Sequence, residues 1–192
     1  NYFRLTADVV AFYILDVAGH GVQSALLSMA LHRWLQPDHL LDASSRPRSP
    51  AAVVADLNRA FPCSDDDTPY FTMVYGLFNE VDREVRLVAA GHPSPVLVDR
   101  RGPVRPVSGS GFPVGLFPDA EWETVRFWMR RDRDTLVLYT DGVAGVFGLE
   151  SAEGMAAVAK IVEAADCSEK LGTTLQSWRK PEDERDDMSL VI

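Results

Sequence analysis

Three aspartates stand where apolar runs end or begin. Asp16 closes the run Val9-Val10-Ala11-Phe12-Tyr13-Ile14-Leu15. Asp141 follows Thr135–Tyr139 and is followed by Gly142. Asp186 precedes the last apolar run, Met188–Ile192. A carboxylate at the rim of a rigid sheet suits a hard divalent cation, which also relieves repulsion between neighbouring carboxylates. For any one aspartate after a strand, a turn or a cap is the simpler account. The pattern Asp16-x-x-Gly19-His20-Gly21 is sharper, because its two glycines permit close backbone approach beside the carboxylate. His20 could ligate a metal, hold a phosphate or cap a turn, and spacing does not distinguish these. A zinc site through His20 is disfavoured, since no second histidine sits at the usual pair spacing.

The elements that must position these residues follow from periodicity and breakers. Val9–Leu15 reads as a buried strand, broken at Ala18–Gly21. Gln23–Leu35 reads as a helix with Leu26, Leu27, Ala30, Leu31 and Trp34 on one stripe. Residues 36–50 read as a linker. Ser49 as cap and Pro50 in the first turn open a helix over Pro50–Phe61, with Val53, Val54, Leu57 and Phe61 inward. Phe71–Phe78 with Val85–Ala90, and Val96–Val98 with Val104–Val107, read as hairpins. Trp122–Met129 and Thr135–Tyr139 are further strands. Helices are expected from Ser151 to about Ala165 and over Cys167–Trp178, then a final strand over Met188–Ile192. Strands in hairpins with helices grouped early and late favour α+β over regular βαβ winding.

The 192 residues suit one domain, and 46% apolar with 24% charged residues is enough for a globular core. Lys plus Arg is 19 against 28 Asp plus Glu, a net charge of −9, which argues against a nucleic-acid or anionic-membrane surface. Cys63 and Cys167 lie far apart, so a disulfide framework or cysteine metal site is not expected; the pattern suits a reducing, cytoplasmic setting. The longest apolar run is too short to span a bilayer. The chain opens at Asn1 rather than Met, which suggests a fragment of a longer protein.

Seven segments together resemble the SpoIIE/RsbU-type serine/threonine phosphatases, a bacterial branch of the metal-dependent (PPM/PP2C-like) protein phosphatases. They are Asp16-Val17-Ala18-Gly19-His20-Gly21, Ser49-Pro50 with Leu57-Asn58, Phe71-Thr72-Met73, Ala90-Gly91-His92-Pro93, Pro113-Val114-Gly115-Leu116, Tyr139-Thr140-Asp141-Gly142-Val143 and Asp186-Asp187-Met188-Ser189. They occur in family order across nearly the whole chain.

The resemblance implies a four-layer αββα sandwich, two packed antiparallel sheets flanked by helices. It implies two divalent cations, Mn2+ or Mg2+, that activate water for hydrolysis of phosphoserine or phosphothreonine. Asp16 would bridge the two ions, the Val17 carbonyl would bind one, and Asp141 with Asp186 would hold the other. Asp187 is the adjacent alternative to Asp186. Gly19, His20, Gly21 and Gly142 would support the site. Thr72 is read as supporting the sheet nearby, Gly91-His92-Pro93 as a structural turn, and Gly111–Gly115 as a border of the pocket. The implied substrate is a phosphorylated anti-sigma-factor antagonist of the STAS type, with an upstream sensory domain and a homodimer in the full protein. The family's Gly-Gly-Asp segment lies upstream of the part matching Tyr2-Phe3-Arg4-Leu5, so a truncated leading edge is expected. Gly145 stands where relatives often carry Glu. Two other functions fit the same residues: a degenerate phosphatase fold used as a binding module, and a metal-dependent hydrolase of small phosphoesters.

Overall fold

The computed structural model describes residues 1–63, 68–99, 104–109, 111–140 and 190–191. Among them the elements run β1 (Tyr2–Arg4), β2 (Val9–Val17), α1 (Val22–Trp34), α2 (Pro37–Leu40), α3 (Pro50–Ala60), β3 (Phe71–Asn79), β4 (Glu84–Ala90), β5 (Val96–Asp99), β6 (Val104–Pro106), β7 (Val125–Trp128), β8 (Asp134–Tyr139) and β9 (Leu190–Val191). The chain divides into two compact units, Asn1–His92 with Gly109–Trp128, and Pro93–Ser108 with Met129–Ile192.

The first unit carries a sheet of order β1-β2-β3-β4-β7, antiparallel throughout. Its β2–β3 ladder is unbroken from Val9↔Asn79 to Val17↔Phe71. Alternation then sorts the side chains by face. Ala11, Tyr13, Met73, Tyr75 and Leu77 pack with Leu31, Leu35 and Leu40 and with Val53, Val54 and Leu57 of α3. Phe12, Ile14 and Val74, on the opposite face, are buried as well. Buried on both faces, β2 and β3 read as nearly continuous apolar runs.

Ser49 caps α3 by accepting the Ala52 N–H at 3.3 Å, and Pro50 fits its first turn, as the sequence predicts. In α1 the inward stripe is narrower than expected. Leu31 and Leu35 are buried and Leu27 and Trp34 half-buried, whereas Leu26 is 60% exposed and Ala30 is also exposed. The i, i+4, i+8 row through Leu27, Leu31 and Leu35 faces the sheet, which turns Leu26 away by about a quarter turn. The short helix α2, opened by Pro37, lies in what reads as linker.

The second unit carries a sheet of order β6-β5-β8-β9, also antiparallel. Asp99 and Asp134 stand directly opposite each other on β5 and β8. Arg130 bridges them, at 3.0 Å to Asp99 and 2.7 Å to Asp134, and Arg133 adds a two-bonded fork to Asp99 at 2.8 and 3.0 Å. The cations turn a repulsive cross-strand pair into a closed network. The expected helices over 151–178 lie outside the described residues.

Candidate active site

Asp16 is held by β2 rather than by a turn. The strand includes Asp16 and Val17, and the Ala18 N–H still donates to the Tyr70 carbonyl at 2.9 Å. The carboxylate is therefore carried on backbone fixed by pairing, half-buried, directly opposite Thr72. On the other side, β1 reaches β2 only as far as Tyr13, whose N–H and carbonyl bond to Asn1. Odd-numbered β2 residues face that edge, as the bonds at Val9 and Tyr13 show. By the same alternation the Val17 carbonyl points to the edge and takes no part in the β2–β3 ladder.

After Ala18 the chain reverses into α1. Gly19 (φ 83°) and Gly21 (φ 96°) both sit in the left-handed region, which side chains rarely adopt. Gly21 precedes α1 with no side-chain cap, and Ser24 Oγ donates to the Ala18 carbonyl at 3.2 Å, closing the loop on itself. His20 at its apex is exposed and borders a cleft of about 450 Å³. Gly19, Ser24, Cys63, Tyr70 and Leu116 also line it. Cys63 thus lines the cleft and donates its thiol to the Thr68 carbonyl at 2.9 Å.

Two further polar residues act behind this surface. His92 is buried, and its Nδ1 lies 2.8 Å from Thr72 Oγ1. Asn58, on the inward face of α3, is also buried. Its amide donates to the Phe117 carbonyl at 2.9 Å, and its Oδ1 accepts the Gly115 N–H at 2.7 Å. That ties the helix to the Pro113–Leu116 segment, and Leu116 reaches the cleft. The sequence signal for Asn58 was its place one helical turn after Val54, on the apolar stripe, where a polar side chain must find buried partners.

Of the predicted site residues, Asp16 and Val17 end β2, Gly19, His20 and Gly21 form the loop that follows, and Gly19 and His20 line the cleft. Asp141, Gly142, Asp186 and Asp187 lie outside the described residues. Among the described residues no three His, Cys, Asp or Glu gather as a metal cluster. The donors present, a carboxylate and a backbone carbonyl, are hard oxygens that fit Mg2+ or Mn2+ rather than zinc. Among the described residues no helix is long and apolar enough to cross a membrane.

Comparison with known proteins bears on the family and the fold. The chain is 27% identical over 202 residues to the phosphoserine phosphatase RsbP of Bacillus subtilis (strain 168), covering 100% of this chain and 47% of RsbP. The chain thus spans about half the length of that relative. The SiaA-PP2C domain of Pseudomonas aeruginosa superposes with a TM-score of 0.75 at 22% identity, over 99% of this chain and 77% of that one. The PP2C phosphatase domain of SpoIIE from Bacillus subtilis, with a fragment of its regulatory domain, gives 0.77 at 19% identity, over 99% and 54%. These likenesses show the fold, an α+β PP2C-like architecture of antiparallel sheets with helices. The family model described as Stage II sporulation protein E (SpoIIE) matches residues 6–192, and the chain belongs to that family.

Proposed function

We propose that the chain hydrolyses phosphoserine or phosphothreonine on a regulatory phosphoprotein, an anti-sigma-factor antagonist, with two divalent cations of the Mn2+ or Mg2+ type. One observation carries the reading. Asp16 is fixed in the β2–β3 ladder beside a Val17 carbonyl outside it, and the chain continues from them into a glycine-hinged loop whose Gly19 and His20 line a cleft. Asp16 and the Val17 carbonyl are the first ligands. Asp141 and Asp186 complete the set on the family resemblance. Within the second unit, antiparallel pairing sets the end of β8 at Tyr139 beside the start of β9 at Leu190.

A pair of divalent cations supplies, when bound, a lowered water pKa near neutrality and neutralisation of charge on the phosphoryl oxygens. The chain's own groups do the rest. Asp16 holds position because its backbone is ladder-bonded on both sides of Thr72. The glycines at 19 and 21 let a phosphate approach the main chain. His20, exposed at the cleft, stands where a hydrogen bond to phosphate or a loop-shaping role is open to it.

Phosphate release from a phosphorylated antagonist, with and without manganese, tests the proposal. Manganese-dependent release is expected, and Asp16→Ala or Asp141→Ala should reduce it to background. Absence of metal-dependent release from any phosphoprotein or aryl phosphate overturns it. Faster turnover on small phosphoesters than on phosphoproteins would assign the site to small-molecule hydrolysis instead.

A further inference from the structure

His92 is built into the molecule more firmly than a turn requires. Gly91 leaves β4 at φ 66°, and its N–H donates to the Gly111 carbonyl at 2.8 Å. A Cβ at Gly91 would stand 2.7–2.8 Å from three Pro113 atoms, so the Gly111–Pro113 segment is seated directly on the turn. The turn is thereby clamped, and the next residue projects in a fixed direction. That residue is an imidazole only 6% exposed, with Nδ1 at 2.8 Å from Thr72 Oγ1. A buried imidazole is costly unless its nitrogens are bonded, and a turn by itself needs none there.

Thr72 is the cross-strand partner of Asp16. Directly opposed residues in an antiparallel pair share a face, with Cβ atoms about 4.5–5.5 Å apart. From that spacing, side-chain rotation can bring a threonine hydroxyl to an aspartate carboxylate; the bond Thr72 makes in this structure is the one to His92. The hydroxyl has one hydrogen to give. If Nδ1 accepted it, none would be left for Asp16. If Nδ1 carries the proton and donates, the hydroxyl hydrogen is free to turn across the strand pair.

We propose that His92 and Thr72 are positioning residues for Asp16: His92 Nδ1–H donates to Thr72 Oγ1, and the Thr72 hydroxyl donates to the Asp16 carboxylate, fixing the rotamer in which it meets the cations. Carboxylate ligands of metals are themselves held by such outer hydrogen bonds, whose loss weakens metal binding by about 10–100-fold. The inference rests on Asp16 being a metal ligand, as proposed above.

The test combines a spectrum and a binding measurement on the whole chain. Long-range 1H–15N correlation of the metal-free protein should show His92 protonated at Nδ1. Manganese affinity by titration calorimetry should fall about 10-fold in Thr72→Val and in His92→Leu. Thr72→Ser, which keeps the hydroxyl, and His92→Asn, which keeps a donor near Nδ1, should restore most of it. An unprotonated Nδ1 overturns the proposal. So does wild-type affinity in Thr72→Val, or equal loss in the conservative and non-conservative variants, which would mark the pair as merely structural. Should His92→Leu fail to fold, the Thr72 pair decides alone. Asp16→Asn separates the two levels. If it leaves manganese affinity unchanged, the ligand assignment itself fails. If it lowers affinity while Thr72→Val does not, only the positioning inference fails.

Discussion

Tyr75 shows how much a single buried group can matter. Its side chain is fully buried on the helix-facing side of β3, and its hydroxyl finds no hydrogen-bond partner among the described residues. Burial pushes its pKa well above the ordinary tyrosine range, against a smaller opposing pull from Arg48. An unsatisfied buried hydroxyl costs about 1–3 kcal/mol. Tyr75→Phe removes it while keeping the ring, so the urea midpoint should rise, by the equivalent of about 1 kcal/mol. The sequence shows Tyr75 as one more residue in a β-rich run. Only the packing of α1 and α3 over it reveals that the hydroxyl is stranded. His92 is the converse case. Its turn was legible from Gly91 and Pro93, but its bond to Thr72 joins residues twenty positions apart and depends on strand register.

At the scale of elements, the sheet of the first unit was the most legible part. Strands β2, β3 and β4 are dense in β-branched and aromatic residues, and Asn79–Arg83 breaks them cleanly. Ser49 and Pro50 announced α3 for the same local reason. The face of α1 was less legible, because Leu26, Leu27, Ala30 and Leu31 offer two overlapping apolar rows and only the partner surface selects one. The link from α3 to the 113–118 segment was not legible at all. Asn58 holds that link, and Asn58→Ala would leave the buried Gly115 N–H without its acceptor. Stability should fall by about 1–3 kcal/mol. Amide exchange at Gly115 should accelerate more than exchange in the β2–β3 ladder. An unchanged Gly115 amide would show that the segment is held by its bridge between Phe71 and Val114 instead.

For the whole molecule, the net charge of −9 argues against a fold-wide basic surface without locating a site. The distribution of charge says more. In the second unit Asp134 is pushed up by burial, but hydrogen bonds and charge from Arg130 more than offset this, and its pKa lies below the ordinary aspartate value. A carboxyl whose folded pKa is depressed contributes stability above its unfolded pKa of about 3.9 and loses it as pH falls through the folded value. Acid unfolding of the wild type should therefore steepen below about pH 4. In Asp134→Asn that steepening should be smaller, although the variant is less stable at neutrality; parallel acid limbs would remove the network from the account. What the sequence determined alone was local or compositional: the strand and helix periods, the glycine-hinged loop after Asp16, the acidic balance, and a run of motifs specific enough to imply the family. These depend on residues near one another along the chain. What tertiary structure decided was everything requiring distant residues to meet. Register places Thr72 opposite Asp16, the clamp of Pro113 on Gly91 aims His92, and burial strands the Tyr75 hydroxyl. Such partners are fixed by strand alignment and packing across the fold, which no spacing along the chain encodes.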